Sequence, residues 1–336
     1  MSTIKDVARL AKVSIATVSR VVNNSTSVSE KTRINVQKAM LTLNYYPDAN
    51  ARALSQQTTN TIGIVVADVS DPFFGAMVSA VEKVAYQTGN FLLIGNGYHN
   101  EQQERNAILQ LIEHRCSSLV VHAKMLTDQE LTKLMQQVPG MVLINRILVG
   151  FEHRCIALDD RYGSNLAVRH LIQNGHKNIG YLCSNHSISD AHDRLQGYKD
   201  GLQEHAIAFE DVNIAFSSPD ESGGEQAMMT LLERNCQITA IACYNDSMAA
   251  GAMSVLYDND IKIPVDISVI GFDDMPIARY LYPKLTTIRY PLQSMSQQAA
   301  QLALALAKGQ DIPQNTINIF TPTLTKRYSV QNLGSV

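Results

Sequence analysis

The sequence predicts an α plus α/β protein: a small helical head, a short connecting segment, and a larger body of parallel sheets. Three observations carry that reading. Residues 1–60 hold eight Lys and Arg against three Asp and Glu, whereas the remaining 276 residues hold 20 basic and 28 acidic side chains. Short amphipathic helices with capping residues fill the start of the chain. From Thr61 onward, strand-sized apolar runs alternate with helical stretches, the pattern of parallel sheets with crossover helices.

Helix signals open the chain. Thr3, three residues before Asp6, marks a helix start, and Ile4, Val7, Ala8 and Ala11 keep helical spacing on one face. Ser14 caps a second helix in which Ile15, Val18, Val21 and Val22 alternate with Thr17, Ser19 and Arg20, and Asn23-Asn24 closes it. A third helix is expected over 29–43, with Ile34 and Leu41 on its buried side. Two short helices joined by a tight turn and braced by a third make a helix-turn-helix unit, which as a pattern fits either DNA binding or a plain structural bundle. The basic charge favours DNA. Ile15 and Ala16 are small or apolar and suit thymine methyl contacts. Arg20 suits base-edge reading, and Lys5, Arg9, Lys12, Lys31, Arg33 and Lys38 suit phosphates.

Pro47 closes this head. The next nine residues, 48–56, permit a helix too short to be stable alone in water, and the polar run 55–60 also reads as a flexible linker. The expected organisation is a head over 1–46, a hinge over 47–60 and a body over 61–336.

In the body, buried strands are predicted at 62–67, 91–95, 118–122, 141–145, 179–183, 240–244 and 268–272, with helices such as 75–87 and 102–114 between them. Ligands of such sheets sit beyond the carboxyl ends of the strands. That rule selects the segments at 68–74, Asn145-Arg146, Asn245-Asp246 and 271–274. Asp and Asn in such places also serve simply to cap the following helix.

Several function classes are excluded. No apolar run approaches the ~20 residues of a membrane span, and Lys5, Asp6, Arg9 and Lys12 interrupt any secretory signal, so a cytoplasmic, nucleoid-associated protein without a membrane partner is expected. Five scattered cysteines with no C-x-x-C pair suit neither a disulfide framework nor a zinc site. The nine histidines form no H-E-x-x-H, no G-x-S-x-G occurs, and Gly95-Asn96-Gly97 lacks the third glycine of a dinucleotide loop. Neither catalysis, a cofactor nor a metal is expected.

The runs Ile4-Lys5-Asp6-Val7-Ala8, Val13-Ser14-Ile15-Ala16-Thr17-Val18-Ser19-Arg20 through Asn23, and Leu43-Asn44-Tyr45-Tyr46-Pro47 through Leu54 resemble the opening of lactose/galactose-type bacterial repressors. Lys12 departs from that family, which usually carries Gly in the turn. The resemblance extends over essentially residues 3–331. It implies a body like that of periplasmic sugar-binding proteins, with two α/β lobes joined by three crossings and a ligand in the cleft. It further implies that Ile15, Ala16, Thr17, Ser19, Arg20 and Asn23 meet operator DNA, and that Arg52 and Leu54 act from a hinge helix that folds on DNA, Leu54 wedging the minor groove. For a polyol, Phe73 and Phe74 offer apolar faces, while Asp71, Asn145, Arg146, Asp190, Arg194, Asn245 and Asp273 offer polar partners. The stretches at 91–102, 183–190 and 219–226 resemble galactose-responsive members of the family, which implies D-galactose as the small sugar inducer of a homodimer. Another sugar or a purine is the competing effector; a transport-associated binding protein lacks the basic head.

Overall fold

The computed structural model describes residues 2–22, 25–46, 59–234, 236–312 and 314–334. It divides the chain into two compact units, 1–59 and 60–336.

The head contains α1 (Ile4–Ala11), α2 (Ile15–Val22) and α3 (Glu30–Thr42). Thr3 and Asp6 form a capping box at the start of α1, and the Ser14 hydroxyl accepts from the Thr17 amide at 3.1 Å to start α2. Both were legible from residue type. The turn between these helices is closed by Lys12 in the left-handed region (φ 53°), its amide returning to Ala8 and Arg9. Val7, Val18 and Val36, all fully buried, form the centre of a small core. Asn35 locks α3 to α1 by donating to the Ala11 carbonyl at 2.8 Å.

The expected buried face of α3 is corrected. Ile34 and Leu41 are 57% and 78% exposed, while Val36 and Ala39 are buried. At 100° per residue Ile34 lies about 200° from Val36, so seven-residue spacing placed Ile34 and Leu41 together on the outer stripe. The helix ends at Thr42: Asn44 is left-handed (φ 47°), and the Tyr45 amide returns to the Met40 carbonyl at 2.9 Å. Asn23, Asn24, Pro47 and the hinge residues, including Arg52 and Leu54, lie outside the described residues.

The body holds two six-stranded sheets. The first lobe is built from β1 (Thr59–Val66), α4 (Pro72–Gln87), β2 (Phe91–Asn96), α5 (Glu101–Glu113), β3 (Cys116–Val121), α6 (Asp128–Gln137), β4 (Met141–Ile144) and β5 (Cys155–Leu158). The second follows as α7 (Asp160–Gln173), β6 (Ile179–Ser184), α8 (Ser189–Glu204), β7 (Ile214–Ser217), α9 (Glu221–Glu233), β8 (Ala240–Cys243), α10 (Asp246–Asp258), β9 (Ser268–Asp273) and β10 (Thr286–Arg289). The chain then returns through α11 (Leu292–Ala307) to β11 (Ile319–Phe320) and goes back to β12 (Thr323–Thr325). The strand orders are β11-β5-β4-β3-β1-β2 and β12-β10-β9-β8-β6-β7, so the chain passes between sheets three times: after β5, β10 and β11. The β10–β12 pair is antiparallel.

The strands β4, β5, β6, β8 and β9 are buried at every position. The expectation that 91–95 is buried is corrected: β2 is an edge strand, with Phe91 77%, Leu93 39% and Ile94 46% exposed. Hydropathy alone cannot separate a buried strand from an edge strand with an apolar outer face. Helices pack closely where glycine permits. A side chain at Gly197 in α8 would meet the Arg161 carbonyl of α7 at 2.1 Å.

Candidate functional site: a cleft at ten strand ends

In the body, a cavity of about 230 Å³ opens at the carboxyl ends of both sheets. Each of ten successive strands contributes to its wall: Asp71, His99, His122, Asn145, Asp160, His186, Pro219, Tyr244, Asp273 and Tyr290 follow β1 to β10 in order or end them. Parallel strands aim their last residues the same way, so the two sheets bring ten strand ends around one volume.

Eight of the nine ligand residues expected from the sequence line this cavity: Asp71, Phe73, Phe74, Asn145, Asp190, Arg194, Asn245 and Asp273. Arg146 does not. Its guanidinium donates to the carbonyls of Ala123 and Leu126 at 3.0 and 2.8 Å and to Asp128 at 2.7 Å. It thereby clamps the loop after β3, together with the buried Glu104, which accepts from the Lys124, Met125 and Leu126 amides at 3.0, 2.9 and 3.1 Å. An arginine next to a strand end cannot be told from a loop clamp by sequence alone.

The aromatic part of the wall is a cluster. Phe73 meets Phe74 and Tyr290 edge to face at 5.3 and 5.2 Å between centroids, and the Tyr290 hydroxyl donates to the Asn145 side chain. Two candidate residues also carry out the capping role that their types suggest. Asp71 accepts from the Phe73 amide at 2.8 Å at the start of α4. Asn145 instead holds a left-handed backbone (φ 61°). Asn245 caps α10, accepting from Met248 at 2.8 Å and donating to the Pro219 carbonyl at 2.8 Å.

Arg194 is the electrostatic centre. It lies with its guanidinium carbon 3.7 Å from the Phe272 ring centroid. It donates to Asp160 at 2.8 Å and to the Tyr244 carbonyl at 2.7 Å, and sits 3.4 Å from Asp273. Burial pushes the Asp160 carboxyl up to about 6 even with Arg194 opposing it. The same cause raises Asp273 well above the usual carboxylate range. Asp190 behaves in the opposite sense. Burial works against its charge, but Lys124, 3.0 Å away, and Arg194 hold it below its ordinary value. Its second oxygen accepts from the Tyr244 hydroxyl at 2.9 Å.

Sequence reasoning missed His99, His122, Asp160, His186, Tyr244 and Tyr290. The strand-end rule would have found Asp160 and Tyr290 had β5 and β10, four residues each, been recognised.

In the head, α2 buries Val18 and Val21 and turns Ile15, Ala16 and Arg20 outward. Thr17 and Ser19 are half-buried, and the Thr17 hydroxyl shares a hydrogen bond with Ser14 at 2.8 Å. Lys5, Arg9, Lys12, Lys31 and Lys38 are exposed. Arg33 holds the loop before α3 instead, donating to the Ser25 carbonyl at 2.8 Å.

A helix-turn-helix head together with a two-lobed body that holds a cleft at its strand ends defines an effector-responsive DNA-binding regulator. Comparison with known proteins gives the family. Residues 3–48 match bacterial regulatory proteins of the lacI family, and residues 168–330 match the periplasmic binding protein-like domain. Over 330 residues the chain is 68% identical to the HTH-type transcriptional regulator GalR of Escherichia coli, covering 98% of this chain and 96% of that protein. It is 54% identical over 330 residues to the HTH-type transcriptional regulator GalS of Salmonella typhimurium, covering 98% and 97%. The lac repressor dimer bound to operator and the anti-inducer ONPF superposes with a TM-score of 0.86 at 28% identity, covering 98% and 99%. The chain belongs to the lacI family of bacterial regulatory proteins. It is a transcriptional regulator and not an enzyme, and no helix among the described residues is long and apolar enough to cross a membrane.

Proposed function

We propose that the protein is a homodimeric repressor of galactose utilisation and transport genes, released from its operator when D-galactose enters the cleft. The observation that carries the reading is the composition of the cavity wall. A carbohydrate ring has apolar C–H faces and a polar rim, and here Phe73, Phe74 and Tyr290 stand beside Asp71, Asn145, Asp160, Asp190, Arg194 and Asp273. Asp71, Asp160, Asp190, Glu221 and Asp273 line the cavity with one guanidinium, Arg194, which Asp160 and Asp273 already engage. Such a wall repels anions and favours a neutral polyol. The likeness to GalR and GalS supports galactose within that class.

On DNA, Ile15, Ala16, Thr17, Ser19, Arg20 and Asn23 read the major groove of each half-site, and the lysines hold phosphates. Arg52 and Leu54 enter the minor groove from the hinge. The ligand closes the cleft, shifts the lobes across the dimer interface and removes the support for hinge pairing. A ligand shifts such an equilibrium only by its differential affinity for the two states.

Titration calorimetry of the full chain against neutral sugars and purines tests the reading. D-galactose is expected to bind, and Asp273→Ala is expected to lose that binding while retaining operator affinity, giving a non-inducible repressor. A purine that binds while galactose does not would transfer the chain to another effector class.

A further inference from the structure

Three imidazoles stand together in the cleft, and none is among the ligand residues expected from the sequence. His99 follows β2 and His122 follows β3 in the first lobe, while His186 follows β6 in the second. Their ring centroids lie 6.1 Å apart for His99–His122 and 5.0 Å apart for His99–His186, so the group spans the seam between the lobes. All three line the cavity. His122 is 4% exposed and packs edge to face on Phe74 at 4.9 Å. The buried Nδ1 atom of each ring has no hydrogen-bond partner among the described residues. Three neighbouring buried polar atoms of this kind cost on the order of 1–3 kcal/mol each unless something polar meets them.

We propose that His99, His122 and His186 form a hydroxyl-reading wall that fixes which neutral sugar the cleft accepts. The inference rests on the sugar-binding reading given above. A neutral imidazole presents one donor and one acceptor nitrogen, the complement of a hydroxyl group, which also does both. Burial holds all three rings neutral: it is the main cause lowering each of them, and it takes His122 down to about 3. The charged groups that face them act in balance. Lys124 disfavours the charged forms of His99 and His122, and Asp190 favours those of all three, with Asp220 also facing His186. Lys124 itself is engaged by Asp190 and by the Ser189 hydroxyl at 3.3 Å, so the nearest cation is already partnered. Because His186 comes from the opposite lobe, the wall is complete only when the lobes are apposed. Hydroxyl reading is therefore tied to the closed cleft.

The test is calorimetric titration of the full chain with D-galactose and its singly deoxygenated analogues, for wild type, His122→Phe and His99→Phe. These variants keep a ring and remove its nitrogens, and operator binding without sugar reports that the fold is intact. Wild type is expected to lose tenfold or more in affinity for at least one analogue. A histidine variant is expected to lose tenfold for galactose and to bind that same analogue within about twofold of galactose, because the discriminating partner is gone. Folded variants that retain every wild-type discrimination would overturn the proposal. His186→Phe gives the same readout from the second lobe if a first-lobe variant fails to fold. Failure of wild type to bind any of these sugars would instead overturn the sugar-binding reading itself.

Discussion

Lys12 holds φ 53° and ψ 44° at the turn between α1 and α2, where crowding of Cβ against the backbone costs about 1–2 kcal/mol. Lys12→Gly should relieve that strain. Amide exchange of α1 and α2 in the full chain is expected to slow by roughly fivefold, which corresponds to ~1 kcal/mol, while operator affinity falls through loss of a cation. Unchanged or faster exchange would mean that the turn is not strained. Asp246 is the second informative residue. It is buried beneath the cleft, accepts from the Thr287 hydroxyl at 2.6 Å and from the Met275 amide at 2.7 Å, and reaches this position because Gly271 leaves room: a Cβ there would stand 2.2 Å from its carboxylate. Burial, opposed by those bonds, pushes its pKa up to about 7, against about 3.9 in an unfolded chain. The native state therefore binds the proton more tightly. Its contribution to stability is full below about pH 4 and is lost as pH rises through 7. Urea unfolding at pH 5 and pH 8 should show Asp246→Asn gaining on wild type as pH rises; a constant difference would contradict the assignment.

Among the elements, α2 is the one whose function is most directly testable. Val18 and Val21 fix it in the head core, which leaves Arg20 exposed on the far side. Arg20→Ala is expected to cost about 1–3 kcal/mol at the cognate operator and to flatten discrimination, whereas Lys5→Ala should weaken cognate and random DNA alike. Fluorescence anisotropy on both DNAs checks this, and undiminished discrimination in Arg20→Ala would remove it from base reading. The caps at Thr3 and Ser14, the alternation of the body and most strand positions were legible because each depends on local chemistry. The face of α3 was not, since Ile34 and Leu41 and the true core residues Val36 and Ala39 are all compatible with helical spacing. Only the position of α1 and α2 decides between them. For the same reason, the exposure of β2 follows from its place at the sheet edge, which no local signal carries. In the cleft, the strand-end rule led to Asp71, Phe73, Phe74, Asn145, Asn245 and Asp273, but it passed over Asp160 and Tyr290 after the short strands β5 and β10 and the histidines that follow β2, β3 and β6. Arg146 shows the limit of the rule, because its neighbours in space belong to the loop after β3.

At the scale of the whole molecule, regulation requires that one volume in the body change the affinity of a separate head for DNA. The body supplies a two-sided device: Lys124 of the first lobe meets Asp190 of the second at 3.0 Å, and Tyr290, at the crossing after β10, bonds Asn145 of the first. A ligand held by residues from both sheets stabilises one apposition of the lobes over others, and the coupling free energy is reciprocal, so operator DNA must weaken sugar binding by the same factor that sugar weakens operator binding. The most direct measurement is therefore operator affinity on DNA from upstream of the galactose genes, with and without saturating D-galactose, paired with sugar affinity on free and operator-bound protein. The account predicts that galactose raises the operator Kd and that operator raises the galactose Kd by an equal factor. An operator Kd unchanged by galactose that is shown to be bound would contradict it.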